Sequence, residues 1–150
     1  MKNDIHDLAL VLESRLRLVL IESWDELRVL ETLSGLAVSR GMTLHVWSVT
    51  EGLRHLAFGG EALDAGESCS AEVALRRVKH DPLGNLYVFC DLHPFLDEPR
   101  SVRLLKEIAM AQGPSAPTLV LVFPRPQVTS GGSALRGSIQ SHPAVRGGAC

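Results

Sequence analysis

The chain has 150 residues, 45% of them hydrophobic and 21% charged, which is the length of one domain with an ordinary globular composition and excludes a chain disordered throughout. Aromatic residues make up 5%, too few for the base-stacking platforms of single-strand binders. Three of the 15 basic residues (Arg125, Arg136 and Arg146) and none of the 17 acidic ones lie beyond Pro124, so the body to Phe123 carries −5 against −2 for the whole. A mildly acidic body gives no electrostatic reason to expect nucleic acid or an anionic membrane as partner.

The spacing predicts a helix over residues 4–14 and a first buried strand over 16–21. Ser23 with Glu26 three residues on has the capping-box pattern, opening a helix to Ser39 that faces Leu27, Leu30, Leu33 and Ala37 inward and closes at Gly41. A second strand is expected over 43–48, and the Gly-rich stretch 50–68 is expected to be a long loop with a short helix. A helix over 70–79 follows, then a turn at Asp81-Pro82-Leu83-Gly84 and the strongest strand, 85–91. Pro99 suits the first turn of a helix reaching Gln112, with Val102, Leu105, Ile108 and Ala109 inward, and a last strand covers 118–123. Short apolar runs alternating with helical stretches imply an α/β fold: one mostly parallel sheet of about four strands flanked by helices. The organisation expected is an α/β domain over 1–123 and a tail over 124–150. The tail's five Gly, four Ser and three Pro, without amphipathic period, are the composition of disorder.

Cys69, Cys90 and Cys150 are odd in number and far apart, which suits neither a disulfide framework nor a CxxC pair and points to a reducing compartment. With no secretory leader pattern and no run of about 20 apolar residues, a cytoplasmic protein is expected, with no membrane partner. The run Leu86-Tyr87-Val88-Phe89-Cys90-Asp91 is a hydrophobic strand ending in a carboxylate, as in the Walker B element that sets an Asp beside magnesium. The glycine-rich phosphate cradle that should accompany it is missing. Between Gly60 and Gly66 there is one residue too many, and Glu67 stands where Lys is needed. After the first strand, where such a cradle belongs, the sequence reads Glu22-Ser23-Trp24-Asp25-Glu26, so the fold is read as degenerate P-loop-like. Asp91 and His93 form the densest cluster of possible ligands, at a strand's carboxyl end where open α/β sheets bind things. Glu22, Ser23 and Thr50 at neighbouring strand ends complete the candidate ligand-binding set. No catalytic residue and no metal site are assigned. Trp24 and Trp47 are both expected in core packing at the sheet margin.

Taken in order, Leu18-Val19-Leu20-Ile21-Glu22-Ser23 with Asp25-Glu26, Val46-Trp47-Ser48-Val49-Thr50-Glu51-Gly52-Leu53, and Val88-Phe89-Cys90-Asp91-Leu92-His93-Pro94-Phe95-Leu96 resemble the N-terminal domain of AAA+ ATPases of the hypothetical chloroplast open reading frame type. The resemblance covers about residues 8–123. It implies a non-catalytic accessory domain that binds a partner or substrate protein, or the motor domain, with ATP and magnesium belonging to the motor of the full-length family and no cofactor expected for this chain. It also implies a shortened copy, since family members continue in apolar sequence where this chain turns Gly/Ser/Arg-rich. Two other readings stay open: a small nucleotide- or metal-dependent enzyme using Asp91 and His93, and a nonfunctional gene remnant that still folds.

Overall fold

Continuous apolar runs become strands buried on both faces, and this decides the architecture. The computed structural model describes Leu10, Ser14 and residues 16–56, 61–62 and 66–125. Its elements run β1 (Leu18–Ser23), α1 (Glu26–Ser39), β2 (Leu44–Ser48), β3 (Gly52–His55), β4 (Glu61–Ala62), a 3-10 turn (Glu67–Cys69), α2 (Ala71–Lys79), β5 (Leu86–Cys90), a second 3-10 turn (His93–Phe95), α3 (Pro99–Ala109) and β6 (Thr118–Pro124). The sheet order is β1-β6-β5-β2-β3-β4. The expected four strands are its parallel part, β1, β6, β5 and β2, while β3 and β4 add on antiparallel beside β2.

The handedness of parallel crossovers explains which face each helix covers. From β2 through β5 to β6 the chain steps towards β1, carrying α2 and α3; from β1 to β2 it travels the other way, so a right-handed crossover puts α1 on the opposite face. Two cores result. Trp47, Phe89, Leu119 and Leu121 of the sheet pack with Ala74, Leu75 and Val78 of α2 and Leu104, Leu105 and Ile108 of α3. On the reverse face Val46, Val88, Cys90, Val120 and Val122 pack with Leu33 and Ala37 of α1. Leu86 and Val88 have no exposed surface, as a central strand demands.

Local expectations are corrected in four places. The stretch 50–68 is not simply a loop with a short helix, since it supplies β3, β4 and the first 3-10 turn. Gly52 enters β3 at φ +70, and Ser68 locks that segment: its Oγ accepts from Leu53 N–H at 2.8 Å and its carbonyl accepts from the Trp47 indole N–H at 2.6 Å. The cap of α1 is Asp25, accepting from Arg28 N–H at 3.2 Å, because Ser23 is drawn into β1 beside Pro124. Helix faces also shift. Leu27 is 72% exposed, so α1 turns Val29, Leu30, Leu33 and Ala37 inward, and α3 buries Ser101, Leu104, Leu105 and Ile108 in place of Val102 and Ala109. Finally, Cys90 is a free thiol but Cys69 is disulfide-bonded, so unpaired cysteines are found at Cys90 and not at Cys69.

Gly41 does close α1: at φ +66 it lets Met42 N–H donate to the Ala37 carbonyl at 2.9 Å. The turn after α2 is organised by Asp81, whose carboxylate accepts from Leu83 N–H (2.7 Å), Asn85 N–H (3.1 Å) and the Tyr87 hydroxyl (2.8 Å). At the head of β1, Arg17 donates to the carbonyls of Ala116 (2.8 Å) and Gly113 (2.9 Å), tying the first strand to the approach of the last. The helix expected over 4–14 and the tail beyond residue 125 lie outside the described residues, apart from Leu10 and Ser14. Among the described residues no helix is long and apolar enough to cross a membrane.

Candidate functional site

Parallel strands all end at one edge of the sheet, and connections leaving to opposite faces open a crevice there. Here β1 leads to α1 on one face and β5 leads to α3 on the other, with β6 between them. The loop after β1 (Trp24, Asp25) with the first residue of α1, Glu26, therefore faces the loop after β5 (Asp91, Leu92, His93).

Asp91 holds the left-handed conformation, φ +59, the one non-glycine residue among those described to do so. Asp tolerates that region better than most residues, and such outliers concentrate at sites and tight turns. Its carboxyl is raised above the ordinary value by desolvation first and by the Glu26 carboxylate second, with His93 opposing. Cys90, one residue earlier, points to the α1 face, where burial pushes its thiol far up. The negative charge of the Glu26 carboxylate adds to this, Asp91 adds further, and Arg54 opposes. Glu26 thus touches the electrostatics of both faces of the strand end.

The other predicted site residues are dispersed. Glu22 is exposed at the end of β1, opposite Phe123 in register. Ser23 is committed to the turn: its Oγ accepts from Asp25 N–H at 3.0 Å and its carbonyl accepts from Arg125 N–H at 3.1 Å. Thr50 is exposed after β2, its hydroxyl 3.4 Å from that of Ser48. His93 is exposed and sets its ring edge-on to Phe123, centroids 5.9 Å apart. The structure brings Asp91 and His93 within electrostatic reach of each other. Sequence reasoning left Glu26 out of the ligand set and missed Arg54 altogether. Glu26 was legible as part of an acidic loop; Arg54 sat in a stretch read as loop, and its guanidinium pairs with Glu51 at 2.8 Å.

The rim carries the carboxylates of Glu22, Asp25, Glu26 and Asp91. Its one buried nucleophile, Cys90, is held protonated, and a thiol reacts as its thiolate. Among the described residues no three His, Cys, Asp or Glu lie close enough to hold a metal ion. What the rim does offer is an exposed aromatic: Trp24 is 60% exposed, against the expectation of core packing, whereas Trp47 is fully buried on Phe89. A cavity of 150 Å³ lies at the opposite, amino end of the sheet, between Ala37, Val38, Met42, Leu44 and His55.

An α/β domain built on a mostly parallel sheet, with a carboxylate just past the end of its strand β5, is the class of protein that the fold defines. The sequence relationship agrees: residues 4–136 match the family described as "SpoVK-like AAA ATPase, N-terminal domain", and the chain belongs to that family. No curated protein and no solved structure matches it.

Proposed function

We propose that this chain is the non-catalytic N-terminal accessory domain of a SpoVK-like AAA ATPase, of the chloroplast open reading frame type, and that it docks a protein partner or the motor domain at the carboxyl rim of its sheet. The observation that carries this is Trp24, 60% exposed beside the carboxylates of Glu22, Asp25 and Glu26. Leaving so large an apolar side chain in water is unfavourable, and Trp is the residue most enriched at interface centres. The partner surface that complements it is an apolar pocket rimmed by basic side chains. The domain needs no cofactor of its own.

The sheet is read as a degenerate relative of a P-loop fold. Its first strand leads into α1 as a cradle strand would, but through Ser23-Trp24-Asp25-Glu26, acidic and without glycine. A triphosphate there would meet carboxylates in place of backbone N–H groups and Lys. Mg-ATP is therefore expected to bind no tighter than about millimolar, roughly −4 kcal/mol.

Two titrations test the reading. Calorimetry of the chain against a SpoVK-like motor domain should give binding that Trp24→Ala weakens about tenfold without changing the melting temperature. Calorimetry with Mg-ATP on the wild type and an Asp91→Asn, His93→Ala double variant should be silent. Micromolar nucleotide binding lost in the double variant would replace the accessory reading with that of a small enzyme using Asp91 and His93.

A further inference from the structure

Strand β1 is an edge: among the described residues it pairs with β6 alone. The bonds at its two ends show which backbone groups that pairing uses. Leu119 N–H donates to the Arg17 carbonyl at 2.8 Å and Arg125 N–H to the Ser23 carbonyl at 3.1 Å, so Val19 and Ile21 between them turn towards β6 as well. Backbone groups alternate in direction along a strand, and Leu18, Leu20 and Glu22 therefore present their N–H and C=O outward. Such an open row is a template for another strand, which proteins blunt with Lys, Pro or a bulge. Leu18-Val19-Leu20-Ile21 has none of these, and Leu20 is 61% exposed.

The edge is complementary to itself. At its head Arg17 is held by the carbonyls of Ala116 and Gly113 and by no carboxylate among the described residues, whereas Glu22, Asp25 and Glu26 stand at its far end. A second copy running antiparallel brings the Arg17 of each chain towards the acidic end of the other; a parallel copy would crowd the two acidic ends together. A two-fold axis through such a pair keeps each face of the sheet on its own side, so even-numbered residues oppose even-numbered ones. One register then engages all three outward residues. It sets Leu20 opposite Leu20 of the second copy, with Leu18 opposite Glu22 on either side. Each of these pairs exchanges two backbone hydrogen bonds, and the two exposed Leu20 side chains meet across the strands. Trp24 lies beyond Glu22, outside the ladder.

We propose that this edge is a self-association surface on which a second copy of the chain pairs β1 against β1, antiparallel and in the register centred on Leu20. The inference stands independently of the accessory reading, which rests on Trp24. Sedimentation of the full chain should show a dimer that grows with concentration over the micromolar range, as a small interface would give. Leu20→Lys sets two like charges opposite each other and should weaken the dimer at least about tenfold, as should Leu20→Glu, with little change in melting temperature because the side chain is mostly exposed. Val38→Lys, on the exposed face of α1, should leave the dimer intact. Mixing the Leu20→Lys and Leu20→Glu chains should restore it as a heterodimer, since only self-pairing at this residue puts the two new charges face to face. Amide exchange at Leu18 and Leu20, and not at Val19 and Ile21, should slow about tenfold as the native dimer forms. A chain that stays monomeric, equal loss in Val38→Lys, or no rescue on mixing would overturn the proposal. So would Leu18 and Leu20 amides already protected in the dilute monomer, which would show the edge covered within one molecule.

Discussion

Replacing Gly52 by Ala should destabilise the domain by about 2–5 kcal/mol, from two separable sources. The first is backbone strain: at φ +70 an L-residue's Cβ crowds its own carbonyl, at about 1–2 kcal/mol. The second is collision, because the added Cβ would stand 2.6 Å from Ser68 Oγ and 3.2 Å from the Cys69 nitrogen and the Ser68 carbonyl carbon. Ser68 cannot yield freely. It has no exposed surface, and its two hydrogen bonds hold Leu53 N–H and the Trp47 indole; stranding either buried donor costs about 1–3 kcal/mol. Urea unfolding followed by tryptophan fluorescence reads the loss, with Gly35→Ala as control. Gly35 lies inside α1 with nothing within 4 Å of the new methyl, so that change should stabilise by about 0.5–1 kcal/mol. A Gly52→Ala loss below about 1 kcal/mol would refute the reasoning, since strain alone should reach that figure.

His45 is buried against Tyr87, rings stacked at 4.9 Å, with His55 edge-on at 5.2 Å, and burial first and His55 second lower its pKa below 6.5, Asp81 opposing. The folded state then favours neutral His45, so its contribution is complete above pH 6.5 and lost as pH falls from there to the folded value; melting temperatures between pH 7.5 and 5 should drop less in His45→Phe than in the wild type. Asp81→Ala removes three accepted hydrogen bonds and should cost about 2–4 kcal/mol, with Tyr87→Phe costing about 1 and the pair coupled in a double-mutant cycle by urea unfolding. Val88→Asp buries an unpaired charge in the central sheet and should abolish the folded circular-dichroism signature. Asp91→Asn keeps a side chain that tolerates φ +59 while removing the repulsion with Glu26, so it should raise the melting temperature at pH 7 and lose that advantage at pH 3, where the wild-type carboxyl is protonated.

The parallel strands were legible because they are buried on both faces and read as unbroken apolar runs, as in Leu86-Tyr87-Val88-Phe89-Cys90. The antiparallel addition was not. Gly52-Leu53-Arg54-His55 is four residues long with two polar side chains, and what makes it a strand is the ladder offered by β2 together with the Ser68 lock 15 residues on. Ser23 was misread as a cap for a similar reason: whether a Ser ends a strand or begins a helix depends on how far β6 runs beside it. Half of the candidate site was likewise hidden. Asp91 and His93 could be picked from a strand end, but their approach to Glu26 follows from β6 lying between β1 and β5, and local pattern does not encode strand order. Trp24 was misplaced because hydrophobicity predicts burial only on average.

The clamp made by Arg17 bears on how the domain is born. Its hydrogen bonds span 99 and 96 residues, and β1 finds its one partner among the described strands in β6, the last to be synthesised. On the ribosome, β2, β5 and their two helices can associate as they emerge, whereas the first strand made must wait for the final one. Pairing across such a separation closes a long loop and is slow. Throughout that interval the apolar Leu18-Val19-Leu20-Ile21 segment is open to other chains, which makes it the place where misassembly begins and where a chaperone would bind.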